Sequence, residues 1–245
     1  MELTTEAREP GYYNASMLKL YSHDTSPYVR RIRVLLAELG LPFVRDPRSW
    51  TVADADVLRL NPALRVPAMA ATVEGATTQL LLDSRIIASY VFSLPAPKPP
   101  APPTGMPAMA TTMFDARTRW DDENTLSVID AAQDSLINLF VLELDGITRD
   151  RSAYLQRQMQ RATDCLRWID ARLAGCDTFH EGVWSYLDIA LACSADWMLF
   201  RERYPVLQHE NLARVLAKHA DRPSLSTTHP RLAASAALPK AGAGK

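Results

Sequence analysis

A chain of 245 residues with 47% apolar content can bury a substantial core, as one large domain or two small ones. Its 27 basic and 28 acidic residues leave a formal net charge of -1, too little for a global field that would collect nucleic acid or an anionic membrane surface. The three cysteines (Cys165, Cys176, Cys193) keep no metal-ligand spacing, no secretory signal opens the chain, and no apolar run approaches the ~18 residues of a membrane helix; the expectation is a cytoplasmic protein without metal, nucleic-acid or membrane partners.

Residues 1–16 carry no apolar periodicity and read as a loose arm. Met17 to Ser22 reads as a short strand, and Pro27 to Leu39 as a helix with one apolar face of Tyr28, Ile32, Leu35, Leu36 and Leu39. Gly40 stops that helix, Pro42 bars its continuation, and an extended segment resumes at Phe43. Arg30, Arg31 and Arg33 are expected on the opposite face, solvated or at a dimer edge. Val52 to Leu60 reads as a short helical stretch. Two prolines, Pro62 and Pro67, then bracket a turn before an extended run, and Thr78 to Asp83 adds a further strand. The intervening residues 73–78 read as a hairpin loop, so that an antiparallel pair follows a parallel one, and a helix capped by Asp83 or Ser84 closes the unit at Ser93. This β-α-β-α-β-β-α order assigns residues 17–93 to a thioredoxin-like domain.

Residues 94–109 are proline-rich and predict an extended, polyproline-like linker between domains. Residues 110–232 then read as all helix: Ala110 to Leu144, Arg151 to Leu173, Tyr186 to Arg203 and His209 to Lys218, with Gly146 and Gly175 as stops. Residues 233–245 read as a frayed tail. The fold class is α+β, a thioredoxin-like domain followed by an all-α helical domain.

Chemistry concentrates where the first strand meets the first helix. Ser26 before Pro27 fits an N-cap and N1 pair, and by itself that is a folding role. The position is also where a thioredoxin-like domain keeps its reactive group, beside free N–H donors and the positive end of a helix. The loop "HDTSPY" has no cysteine, which excludes exchange by a protein thiol and leaves a hydroxyl able to donate to the thiolate of a bound small molecule.

Four stretches, "TSPYVRRIRVLLAELGLPF", "NPALRVPAM", "LLDSRIIASYV" and "SYLDIALACSADW", together resemble the cytosolic glutathione transferases, nearest the bacterial and plant branches with an activating serine. The likeness spans Met17 to Pro230. It implies that Ser26 points at the glutathione sulfur, with Thr25 as the reserve candidate and Tyr28, the aromatic of the same pattern, among the glutathione-binding residues. It further implies a cis Val66–Pro67 bond, Val66 on the tripeptide backbone, and Asp83 and Ser84 on its γ-glutamyl end. Arg65 stands where the family often has lysine, to pair with a glutathione carboxylate or to remain solvated. Leu64 departs from the glycine common in that turn.

The resemblance implies glutathione as co-substrate, a hydrophobic electrophile as second substrate and a homodimer. Ser185 and Asp188 form a capping box at a buried helix start, and Cys193 reads as packing. Phe114, Arg117, Trp120 and Trp197 are placed on helices that could face the cleft. A transferase is the leading reading; a glutathione transferase-like binding or scaffold protein, or a glutathione-dependent lyase, isomerase, dehalogenase or peroxidase, are the alternatives.

Overall fold

The computed structural model describes residues 17–46, 61–72, 78–94 and 99–232. The helix expected over Val52 to Leu60, most of the hairpin loop, and both chain ends lie outside these residues. Strand β1 (Met17–Tyr21) turns Leu18 and Leu20 into the core by simple alternation. Helix α1 (Pro27–Glu38) carries the chain over to β2 (Val44–Asp46), which pairs parallel to β1 with Lys19 opposite Val44. Strand β3 (Ala68–Thr72) runs antiparallel to β1, and β4 (Gln79–Leu82) antiparallel to β3, giving the order β2-β1-β3-β4. Helix α2 (Ser84–Ser93) follows directly.

The helical half comprises α3 (Arg119–Leu144), α4 (Ala153–Arg172), α5 (Tyr186–Phe200), α6 (Glu210–His219) and the short α7 (Pro223–Ser226). Its first helix begins nine residues later than the apolar pattern suggested. Residues 110–118 are bends and turns, and just before them Ala108–Met109 (β5) pairs parallel to Val183–Trp184 (β6). The proline-rich segment is correspondingly no free spacer. Pro100 and Pro103 lie with Ala37, Glu38 and Ser224 around a shared hollow, and a Cβ added at Gly40 would meet the Pro100 ring at 3.3 Å.

Gly40, at φ +66°, ends α1 in a Schellman turn: its N–H bonds the Ala37 carbonyl and Leu41 N–H that of Leu36. By length and composition alone helix α3 is long and apolar enough to cross a membrane, although no apolar run in the sequence suggested one. It packs on α4 and α5 and buries Leu126, Ile129 and Leu136 in the common core, as a bundle helix does.

Arg30 and Arg31 correct the sequence reading most sharply. They are 2% and 0% exposed rather than solvated. Arg30 pairs with Asp196 at 2.7 Å and donates to Thr228 Oγ1 and the Leu225 carbonyl. Arg31 binds Asp130 and donates to Ser194 Oγ at 3.0 Å. Arg33, partly buried, faces Asp24 at 3.8 Å. At the other end of α1, Glu38 takes both nitrogens of Arg222, at 2.7 and 2.8 Å; that guanidinium also donates to the Pro107 carbonyl and lies over Trp184. The buried contacts of Arg30, Arg31 and Glu38 join α1 to the helical half, whereas that of Arg33 stays with the β1–α1 loop. A buried helix can carry charge on every side only where each charge meets a partner.

Ser185 and Asp188 form a complete capping box at the start of α5. Asp188 accepts from the backbone N–H groups of Ser185 at 2.8 Å and Phe179 at 3.0 Å, so it ties the preceding loop as well. Burial, outweighing those bonds, pushes its carboxyl up to about 6. Cys193 lies in the core, and burial pushes its thiol up to about 11, which makes it inert.

Two stability outcomes follow from these buried groups. Glu38→Ala leaves Arg222 buried without its carboxylate and is expected to cost about 3–5 kcal/mol in urea unfolding, against under about 1 kcal/mol if the pair were solvated. Asp188 holds its proton to higher pH in the native state, so its contribution is full below about pH 4 and is lost as pH rises through about 6. Wild type should therefore lose on the order of 2 kcal/mol relative to Asp188→Asn between those limits. A difference that grows with pH would contradict this.

Candidate active site

The loop between β1 and α1 is held from several sides. Ser22 N–H bonds the Asp46 carbonyl at 3.0 Å, and Asp24 is gripped by Arg45. Ser26 has extended backbone (φ -73°, ψ 127°), and its Oγ accepts from Val29 N–H at 3.4 Å. That weak cap leaves the hydroxyl proton available to a ligand. Pro27 has no N–H and the Tyr28 N–H has no intrahelical acceptor, so the helix end is open to an anion. Thr25 is more heavily engaged: its Oγ1 lies 3.1 Å from His23 Nδ1 and accepts from Arg201 Nη2 at 3.0 Å.

Asn61, buried, organises the turn before β3. Its side chain donates to the Arg65 carbonyl at 2.8 Å and accepts from Ala63 N–H at 3.1 Å. This closes the turn through Leu64 at φ +50°, a left-handed conformation that favours glycine and costs a leucine about 1 kcal/mol. The Val66–Pro67 bond is cis. Val66 N–H and C=O make no hydrogen bond among the described residues, so this strand edge can pair with an added backbone.

Asp83 is the second left-handed non-glycine residue here, at φ +87°. Its Oδ1 caps α2 through Arg85 N–H at 2.8 Å. Ser84, at the first position of that helix, is buried, and its carbonyl accepts from Tyr186 Oη at 3.3 Å. Backbone strain at such a position persists only when its surroundings fix it.

These segments converge. Tyr28, Arg65, Val66, Pro67, Asp83 and Ser84 line one cleft of about 300 Å³, closed on the far side by Asp130 and Asp134 of α3. Tyr28 Oη donates to Asp134 at 2.6 Å, and its ring lies 4.7 Å from the Arg31 guanidinium. Burial pushes the phenol above its ordinary range, so Tyr28 stays neutral. Ser26 and Thr25 are not among the lining residues; they stand at the α1 terminus, two and three residues before Tyr28.

Sequence reasoning missed Asp130 and Asp134. The available signal was two carboxylates one helical turn apart in an otherwise uncharged stretch, Leu126 to Val141. The four cleft candidates of the helical half also need correction. Trp197 is core and meets the Phe140 ring edge-on. Trp120 is 75% exposed, Arg117 pairs with Asp115 on a turn, and Phe114, likewise outside any helix, lines a different groove.

A model of the glutathione S-transferase N-terminal domain matches residues 20–99. The chain is 25% identical over 223 residues to an uncharacterized GST-like protein of Escherichia coli (strain K12), covering 87% of this chain and 98% of that one. Among solved structures, a glutathione S-transferase from Methylobacterium radiotolerans in complex with glutathione sulfonate aligns with a TM-score of 0.68 at 26% identity, over 87% of this chain and 95% of that one. A glutathione S-transferase from Methylobacillus flagellatus with glutathione bound aligns with a TM-score of 0.70 at 23% identity, over 87% and 99%.

Proposed function

From these likenesses we propose that the chain is a member of the glutathione transferase superfamily, that it binds glutathione in this cleft and that it joins the glutathione sulfur to an apolar electrophile. The observation that carries the reading is the convergence of Arg65–Pro67, Asp83–Ser84 and Tyr28 on one cleft beside the open end of α1. Glutathione lies along β3 as an added strand, its cysteinyl backbone on Val66. Ser84 and the α2 terminus take the γ-glutamyl carboxylate, and Asp83 its ammonium, with Asp130 and Asp134 completing an acidic wall. Arg65 pairs with the remaining carboxylate.

Ser26 then donates its hydroxyl proton to the sulfur. A thiol of pKa about 8.5 is about 3% ionised at pH 7, and lowering it by about two units takes roughly 2.7 kcal/mol. A hydrogen bond to a charged group contributes about 1.5–3 kcal/mol and the helix terminus about 0.3–1. Together they suffice. The thiol proton leaves to solvent, the thiolate forms the new S–C bond, and the leaving group departs with its electron pair. Ser26 is preferred over Thr25 because the threonine hydroxyl is already engaged with His23 Nδ1 at 3.1 Å. For a homodimer, the support is an open groove of about 750 Å³ beside the exposed Ile86, lined also by Tyr90, Met113 and Phe114.

In Ser26→Ala the helix terminus still acts, so the thiolate fraction at pH 7 should fall about five- to fifteenfold, partly offset because a less acidic thiolate is the stronger nucleophile. Initial rates should therefore show kcat/KM lowered about two- to fourfold at pH 7, with the gap closing as pH rises toward about 8. Full rate at neutral pH with glutathione bound would move the role to Thr25. A wild-type protein that neither binds glutathione by calorimetry nor conjugates any of a broad electrophile panel would end the enzyme reading.

A further inference from the structure

One guanidinium that reaches the β1–α1 loop beside Ser26 belongs to Arg201, at the C-terminal cap of α5. It is fixed there by a Schellman turn through Glu202 at φ +53°, and its carbonyl accepts from Arg203 Nε at 2.6 Å. Its side chain reaches across to the β1–α1 loop, where Nη2 donates to Thr25 Oγ1 at 3.0 Å, one residue before Ser26. The Phe140 and Phe200 rings flank the guanidinium, with centroids 5.0 and 4.9 Å away.

Arg201 is partly buried without a carboxylate partner among the described residues. Arg203 beside it is neutralised by Glu143, and the buried arginines of α1, Arg30 and Arg31, by Asp196 and Asp130. No acidic side chain among the described residues pairs with Arg201, and its Nε is buried without a hydrogen-bond partner. Burial, with Arg203 nearby, lowers its pKa. A guanidinium bonded to a neutral hydroxyl and two ring faces gains about twice the hydrogen-bond strength by taking a carboxylate instead.

We propose that Arg201 determines specificity for the second substrate: an electrophile with a flat apolar body, carrying a carboxylate a few bonds from the carbon that the sulfur attacks. The body lies against Phe140 and Phe200, and the carboxylate takes Nη2 from Thr25. Arg201 touches the substrate's anion, away from the bond that forms. The inference rests on the glutathione-conjugation reading above and narrows it, from any apolar electrophile to an anionic one.

The test compares para-chloro-meta-nitrobenzoate with its neutral primary amide in glutathione conjugation, where the S–C bond forms as chloride leaves with its electron pair. Each kcat/KM is divided by the uncatalysed rate with free glutathione, which removes the difference in intrinsic reactivity. Wild type is expected to favour the acid at least about tenfold, mainly through KM. Arg201→Met should bring that ratio to about one, and Arg201→Lys, which keeps the charge but loses the fork, should retain part of it. Thermal melting of both variants establishes that they are folded. A wild-type ratio near one with both substrates turned over would overturn the inference and leave the enzyme reading standing. So would an Arg201→Met protein that slows both substrates alike, since Arg201 would then be only a tether for the loop. Turnover of neither substrate by a protein that binds glutathione also overturns it, whereas absence of glutathione binding removes both readings together.

Discussion

Helix α1 is the member on which the rest depends. It begins at the candidate serine, crosses between the sheet and the helical half, and is buried along nearly its whole length. Its apolar side chains cannot all face one neighbour, so three charged ones, Arg30, Arg31 and Glu38, face the helical half and must be matched there by Asp196, Asp130 and Arg222. Burying a charge costs several kcal/mol unless geometry and hydrogen bonds return it, so such pairs fix arrangement more surely than they add stability. The position of the α1 N-terminus is thereby set by residues far along the chain.

That coupling runs into the site itself. Arg31 stacks on Tyr28 and binds Asp130, while Tyr28 donates to Asp134 one turn further along α3. The cleft wall from the helical half is therefore held by the same helix that presents Ser26. A ligand in the cleft meets two halves already joined, and its orientation costs less than if they had to be brought together. Asp83, strained at φ +87°, and Leu64 at φ +50° belong to the same rigid frame.

Local chemistry was legible in the sequence. The strand alternation of Leu18 and Leu20, the Ser26–Pro27 cap, the Gly40 stop and the Ser185–Asp188 box depend on neighbours within a few residues, and all four take that form in the structure. Arg30 and Arg31 were not legible, because an arginine is buried only if a partner comes to it, and theirs lie about a hundred residues or more away. The start of α3 was misplaced because residues 110–118 are compatible with helix and the β5–β6 pairing that holds the segment before them joins residues distant in sequence. Asp130 and Asp134 lay on a helix correctly expected, but only the docking of α3 against Tyr28 brings them to the cleft. Contacts from one half to the other are the part a linear reading does not contain.

The central claim is that the α1 terminus and Ser26 together stabilise a thiolate on bound glutathione. The direct measurement is a pH titration of the bound thiol, followed by the ultraviolet absorbance of the thiolate on the wild-type protein saturated with glutathione. The account predicts an apparent pKa about two units below the ordinary thiol value of about 8.5. A bound thiol that titrates at its ordinary value would contradict it.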